Sequence, residues 1–348
     1  MAHARIGHLL ALAALCAAAP AFGATDRWAC TIAPTSTYSQ TTQIQLPLAG
    51  TWIGNYDAVT NPTGTQTRPG LFGGSGNVAI PFTSVVRPRA VIANTHPTGS
   101  YVFGLDRATG AVEVTGLALN ALGAQGGTIE TRMTLTYSTF RTFAPNSTFI
   151  GVSNLDVPLD SGALTMANAV QSGPAIGAAT ANADGSWSFA VTVPVNVTVE
   201  GTALGAPFTS TSPGSVVMTG TATFSGDQAT LTSQGTVNET VPVPAPAPLV
   251  NMPFALPTIL PPGATANLLM SGTFSDGTST TTGSSSIVAL GTLQPVFGDL
   301  NGDRAVNGFD LGLLLAAWGT NGQPGGADLN GDGIVNGFDL GLMLAAWG

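Results

Sequence analysis

Ser186-Trp187-Ser188-Phe189-Ala190-Val191-Thr192-Val193-Pro194-Val195-Asn196-Val197-Thr198-Val199-Glu200 is the clearest strand signal in the chain. Trp187, Phe189, Val191 and Val193 alternate with small or polar residues, the two-residue period of a strand with one buried face. Pro194 has no N–H to give to a ladder, so it predicts an edge, a bulge or a break between two strands. Residues 128–137 alternate similarly through Ile129, Thr131, Met133 and Leu135. Turn residues predict hairpins over 101–114 around Asp106-Arg107-Ala108-Thr109-Gly110, over 216–231 around Ser225-Gly226-Asp227, and over 267–290 around Asp276-Gly277. From about Thr41 to Leu293 the signals are strand and turn, with hardly any helical period. Short strands with regular turns predict a mainly β domain, a sandwich or a barrel.

Outward from this region, the N-terminus reads as a secretory signal peptide. Arg5 lies in a short basic segment, residues 9–19 are apolar, and Ala21-Phe22-Gly23 offers small residues for cleavage before Ala24. Pro20 ends the apolar run short of the ~20 residues a membrane span needs, so a soluble, secreted chain with no transmembrane segment after processing is expected. Cys16 lacks the Leu at the third position back that a lipoprotein signal carries. The mature chain would keep Cys30 as its one cysteine, which excludes an intramolecular disulfide, and His96 as its one histidine.

Formal net charge is −9; all nine basic residues are Arg, and charged residues make up 8% of the chain. Nothing in that balance points to nucleic acid. The mean hydropathy of +0.31 sets the chain apart from disordered sequences. Val241-Pro242-Val243-Pro244-Ala245-Pro246-Ala247-Pro248 reads as an extended crossover inside the β region rather than a domain boundary. A firm boundary falls near Pro295, giving a signal peptide at 1–23, an all-β domain at 24–295 and a small all-α module at 296–348.

That module carries one motif twice: Asp299-Leu300-Asn301-Gly302-Asp303-Arg304-Ala305-Val306-Asn307-Gly308-Phe309-Asp310, then Asp328-Leu329-Asn330-Gly331-Asp332-Gly333-Ile334-Val335-Asn336-Gly337-Phe338-Asp339. Oxygen-bearing side chains fall at loop positions 1, 3, 5, 9 and 12. Position 7, Ala305 or Ile334, needs only its backbone carbonyl. This spacing wraps a chain around calcium, a hard cation that takes six to eight oxygen ligands. The tail holds six Asp and one Arg, Arg304, a local balance of −5 that reads as a metal-site signature. Each loop runs into an apolar segment, 309–318 or 338–347, rich in helix-forming Leu and Ala. Gly312 and Gly341 are expected to allow close helix packing. No helix pattern precedes either loop, so each unit is half of an EF-hand.

A duplicated loop–helix unit of this kind, over residues 298–348, resembles a type I dockerin. The resemblance implies two calcium ions held by Asp299, Asn301, Asp303, Ala305, Asn307 and Asp310, and by Asp328, Asn330, Asp332, Ile334, Asn336 and Asp339. It also implies pseudo-twofold symmetry, with Val306 and Val335 at position 8 pairing through a short strand contact. The implied partner is a cohesin-type extracellular protein, as on polysaccharide-degrading enzymes and scaffolds. Two positions depart from the pattern. Arg304 stands at position 6, where a sharp turn needs Gly, and is expected to weaken the first loop and to place a cation near its ion. Gly308-Phe309 and Gly337-Phe338 replace the hydroxyl residues of cohesin-reading loops. Residues such as Leu313-Leu314-Leu315 and Leu342-Met343-Leu344 cannot all be buried between two helices this short, so an exposed apolar docking surface is expected.

Catalytic residues are not identifiable in the β region. A nucleophilic triad would need His96 as its base, and zinc sites are excluded by the scarcity of His and Cys. A glycosidase needs only two carboxylates; Glu113 and Glu130 lie in strand-like runs, whereas most of the others occupy turns. Trp52 is the best candidate for a surface that stacks on sugar, and Trp187 is expected in the core. Three readings stay open: a secreted docking protein linked to extracellular polysaccharide breakdown, a glycoside hydrolase or carbohydrate-binding module carried by the tail, and a structural or adhesive surface protein with a calcium-stabilised tail.

Overall fold

The computed structural model describes residues 26–54, 57–64, 67–72, 77–143, 146–203, 205–260, 262–322 and 326–347. The expected signal peptide and its cleavage point lie outside these residues. In chain order the strands are β1 (Asp26–Ile32), β2 (Thr37–Ile53), β3 (Thr67–Pro69), β4 (Ile80–Thr95), β5 (Thr98–Leu105), β6 (Ala111–Asn120), β7 (Gly127–Tyr137), β8 (Phe140–Phe143), β9 (Asn146–Phe149), β10 (Val152–Gln171), β11 (Ala175–Ala181), β12 (Trp187–Ala203), β13 (Ala206–Ser225), β14 (Gln228–Val243), β15 (Leu249–Pro257), β16 (Thr265–Phe274) and β17 (Gly277–Leu293). Two helices follow, α1 (Gly308–Ala316) and α2 (Gly337–Ala345). The chain is mainly β with a small helical C-terminal part, as its alternation pattern predicts.

Fourteen strands form one antiparallel sheet in the order β11-β12-β13-β14-β17-β1-β5-β6-β10-β7-β4-β2-β16-β15. Additional pairings of β11 with β6, β12 with β10 and β17 with β2 close it on itself. The ring β11-β12-β13-β14-β17-β1-β5-β6 returns to β11, so the wall is a barrel without free edges there. At the other end of the long strands β12 and β17, the partners change. β12 pairs with β11 through Trp187–Val191 and with β10 through Val195–Thr202. β17 pairs with β1 through its last residues and with β2 through 278–286.

This change of partner explains Pro194. The strand does not break there. Pro194 lies between the two ladders, and its carbonyl accepts from Ser172 N at 2.9 Å. The hairpins over 101–114 and 216–231 form as β5–β6 and β13–β14. The third does not: β16 and β17 do not pair with each other but lie end to end along β2, Leu269–Phe274 opposite Ile53–Leu48 and Thr278–Ser286 opposite Gln45–Thr37. Ser275 N donates to Pro47 O at 3.0 Å, so Asp276-Gly277 is a step in a continuing edge rather than a reversal. The Pro-rich run ends β14 and crosses to β15, which pairs only with β16 and so tolerates Pro253.

Two apolar cores result. Alternate residues of β12, from Phe189 to Val199, face those of β5 and β6, including Phe103, Leu105, Val112 and Val114. A second core gathers around Trp52, which is fully buried and stacks on Phe82 at 4.8 Å with Tyr137 edge-on at 5.2 Å. The small sheet β3-β8-β9 supplies Phe140 and Phe149 to it. Trp52 is therefore not a surface platform for sugar. Its strand carries the alternation Leu46, Leu48, Trp52 on one face, and a large aromatic on that face enters the core. Trp187 is partly buried against the first core, in line with expectation.

Trp52→Ala should lower stability by about 3–5 kcal/mol, the cost of a large aromatic cavity, read from urea unfolding. Cys30 is buried and burial pushes its thiol up to about 12. Its reaction with a thiol reagent at neutral pH should be slow in the folded protein and fast in guanidinium. Equal rates in both would contradict this core.

Candidate metal centre

Each loop of the tail is held by its own carboxylates. Asp299 accepts from the amides of Gly302, Asp303 and Arg304 at 2.7, 3.2 and 2.7 Å. Asn301 Oδ1 accepts from Asp303 N at 2.8 Å, and Asp303 Oδ1 from Ala305 N at 2.9 Å. Asn307 caps α1 by accepting from Phe309 N at 2.9 Å, while Asp310 accepts from Asn307 N at 2.9 Å, a reciprocal capping box. Asp310 also accepts from Leu300 N and Asn301 N at 2.7 and 3.1 Å, tying the start of the loop to the first turn of the helix. The second loop repeats these bonds through Asp328, Asn330, Asp332, Asn336 and Asp339, at distances such as 2.8 Å for Leu329 N to Asp339 and 2.9 Å for Gly333 N to Asp328.

The donor set fits a hard cation. Carboxylate oxygens of Asp299, Asp303 and Asp310 lie within 4.8 Å of one another. Like charges this close repel, and a divalent cation removes the repulsion while using oxygen ligands. Burial raises the Asp310 and Asp339 carboxyls, but the amides they accept outweigh it and hold both below the usual value. Both therefore stay ionised and available to a metal. Asn307 Nδ2 donates to Ala305 O at 3.4 Å and Asn336 Nδ2 to Ile334 O at 3.1 Å, which puts the position 7 carbonyls beside the position 9 side chains.

Arg304 takes the left-handed conformation that its position requires, φ 71°, as Gly333 does with φ 89°. Its side chain, however, does not lie over the loop. It turns to the first strand and pairs with Asp26 at 2.8 Å, where Arg107 also pairs with Asp26 at 3.0 Å. The cation expected beside the first loop is thus neutralised by a carboxylate of β1. Sequence reading missed Asp26 because its partner lies 278 residues away; the one available signal was an Arg in a glycine position.

The two helices pack through a small core of Val306, Leu314, Val335 and Met343. Leu314 and Met343 are fully buried, whereas Leu313, Leu315, Leu342 and Leu344 are exposed. Phe309 and Phe338 are each 76% exposed, and Trp318 and Trp347 are also exposed. The two copies thus present matching apolar faces. Gly312 and Gly341 face open space, so they do not serve helix packing; they lie away from the core face set by Leu314 and Met343. Val306 and Val335 share the core, but the backbone of Val335 pairs with Gly319 and Thr320 at 2.8 and 3.1 Å instead of with Val306.

The other candidate residues do not converge. Glu113 pairs with Arg27 at 2.8 Å. Glu130 stands on β7 opposite Arg89 of β4 and Ser161 of β10. Asp156 is bound by Arg132 and Arg87, and the Arg132 hydrogen bond lowers its carboxyl despite some desolvation. His96 is exposed, and its Nδ1 lies 2.9 Å from the carbonyl oxygen of Ser36.

Asp26→Asn should lower calcium affinity at the first loop by up to about fivefold, the worth of a partly exposed ion pair, because Arg304 is released beside Asp299 and Asp303. Calorimetry on the full chain should show the second loop unchanged; equal losses at both loops would contradict this role.

No curated protein matches the chain. Among solved structures it aligns with the outer membrane protease OmpT of Escherichia coli at 8% identity, covering 76% of this chain and 98% of that one, with a TM-score of 0.22. It aligns with the secretin InvG of the Salmonella SPI-1 type III secretion injectisome at 8% identity, covering 78% and 64%, with a TM-score of 0.17. Neither similarity is close enough to bear on fold or activity. Residues 297–345, which hold both loops and both helices, match the family model of the dockerin type I domain, a calcium-binding module.

Proposed function

We propose that this is a secreted protein whose β domain, residues 24–295, is held to an extracellular or cell-surface partner by a calcium-dependent docking module, residues 296–348. The observation that carries this reading is the duplicated loop–helix unit with two matching exposed apolar faces. In this reading each loop takes one calcium ion. The ligands are Asp299, Asn301, Asp303, Ala305 O, Asn307 and Asp310 in the first, and Asp328, Asn330, Asp332, Ile334 O, Asn336 and Asp339 in the second.

Calcium does two jobs. It offsets repulsion among the carboxylates, so that the loops order and fix the N-termini of α1 and α2. Ordered helices then present Phe309, Leu313 and Leu315, or Phe338, Leu342 and Leu344, as a rigid surface. Apolar patches of this kind on a secreted protein mark interaction sites. The partner is a cohesin-type protein with an apolar surface. Gly308-Phe309 and Gly337-Phe338 replace the usual hydroxyl residues, which favours a partner that reads shape and apolar contact over hydrogen bonding. Pseudo-twofold symmetry lets it engage either copy. A role in extracellular polysaccharide breakdown is the context in which such docking operates.

The test is capture of a cohesin-type partner by the full chain in millimolar calcium and its release by EDTA. Leu313→Asp with Leu342→Asp should weaken capture at least about tenfold with calcium affinity kept, since both side chains lie outside the small core. Asp310→Ala should remove one ion from a stoichiometry of two. Capture that is indifferent to EDTA and to the double variant would leave the tail a stabilising cap.

A further inference from the structure

β13 and β14 pair only near their shared turn, over Gly220–Ser225 and Gln228–Ser233. Beyond it they part. Residues 206–219 of β13 stay with β12, and residues 234–243 of β14 stay with β17. The barrel wall opens between them onto an interior cavity of about 250 Å³. Ile32, Ile92, Leu117, Leu119, Val197 and Val199 form its apolar floor.

β14 forms one lip of this opening. Opposite it on β17, Ser279 and Thr281 are buried, so their register partners Val241 and Glu239 share the inner face of the sheet. Both line the cavity, as does Val237. Glu239 is the only charged residue in the lining; no Arg or His is present, and Glu239 has no ion-pair partner among the described residues. By contrast Asp26, Glu113 and Asp156 are each paired with Arg. A lone carboxylate at the mouth of an apolar cavity repels an anionic amphiphile, and a purely neutral guest would desolvate it without replacement. An ammonium group answers it. The rings of Tyr38 and Tyr101, which also line the cavity, add to the surface that receives the apolar body.

We propose that this cavity is a binding site for an organic cation, with an apolar body seated against the floor of the barrel and an ammonium group at Glu239. The site is independent of the calcium module: its residues come from the barrel wall, and its gap is framed by β13 and β14. Entry runs between the diverging strands, so no strand pairing has to break.

The test uses the full chain with calcium and calorimetric titration of decyltrimethylammonium, decanol and decanesulfonate below their micelle concentrations. Decyltrimethylammonium should bind at one site and at least about tenfold more tightly than decanesulfonate. Glu239→Gln should weaken the cation about tenfold and change decanol by less than about twofold. Ala169→Trp, which fills the floor, should abolish binding of both cation and decanol with the circular dichroism spectrum unchanged. If that variant does not fold, Val237→Trp at the open lip provides the same block, and Glu239→Gln alone decides if neither folds. Equal affinity for cation and sulfonate, an unchanged Glu239→Gln titration, or binding retained by a folded tryptophan variant would overturn the proposal.

Discussion

Two strands, β12 and β17, each change partner halfway along, and the barrel depends on that change. A fourteen-stranded sheet left open would expose two rows of unpaired backbone groups, which cost free energy when dry and invite association when wet. β12 gives its first half to β11 and its second to β10; β17 gives one end to β1 and the other to β2. One set of long strands therefore serves two rings. Pro194 marks the switch in β12: on one side the partner changes there from β11 to β10, while on the other β13 stays in register through Ser215.

The same economy of pairing leaves one place unsealed. β13 and β14 separate once their turn is behind them, because β12 and β17 diverge as they serve different partners. The interior is closed by Phe103, Leu105 and Phe189 near the shared turn but is hollow farther along, where Ala167, Ala169 and Gly283 are small. A cavity in a β barrel thus arises from topology and side-chain size together. Glu239 then stands in a lining otherwise made of neutral polar and apolar residues.

At the C-terminus another physical logic operates. There the buried core is small, four side chains at Val306, Leu314, Val335 and Met343, and the loops are organised by charge. Carboxylates collect backbone amides, and are brought close to one another despite their repulsion, in loops too short to be held by a core. Asp310 and Asp339 act twice, closing the loops and capping the helices that follow. The link to the β region is electrostatic as well: Asp26 bridges Arg107 of the barrel and Arg304 of the first loop. An Arg in a turn that prefers glycine costs on the order of 1 kcal/mol of strain, and here its side chain gains a partner outside the loop.

Local periodicity was enough to identify the strands within 101–114, 128–137 and 186–200, the turns at Asp106 and Gly226, the two helices after the loops, and the oxygen-bearing loop positions. Each of these depends on residues within about a dozen positions of one another, whose φ preferences, alternation and hydrogen-bonding groups act locally. The tertiary structure alone decided that Asp276-Gly277 continues an edge along β2, that Trp52 is buried, that Leu314 and Met343 form the helix core while their neighbours stay exposed, and that Arg304 reaches Asp26. A dipeptide such as Asp-Gly permits reversal or a step with equal ease, and which occurs depends on the strand lying alongside. An aromatic residue fits a core or a surface, and an Arg can join any carboxylate within reach. Those outcomes follow from partners distant in sequence, which only the closed sheet brings together.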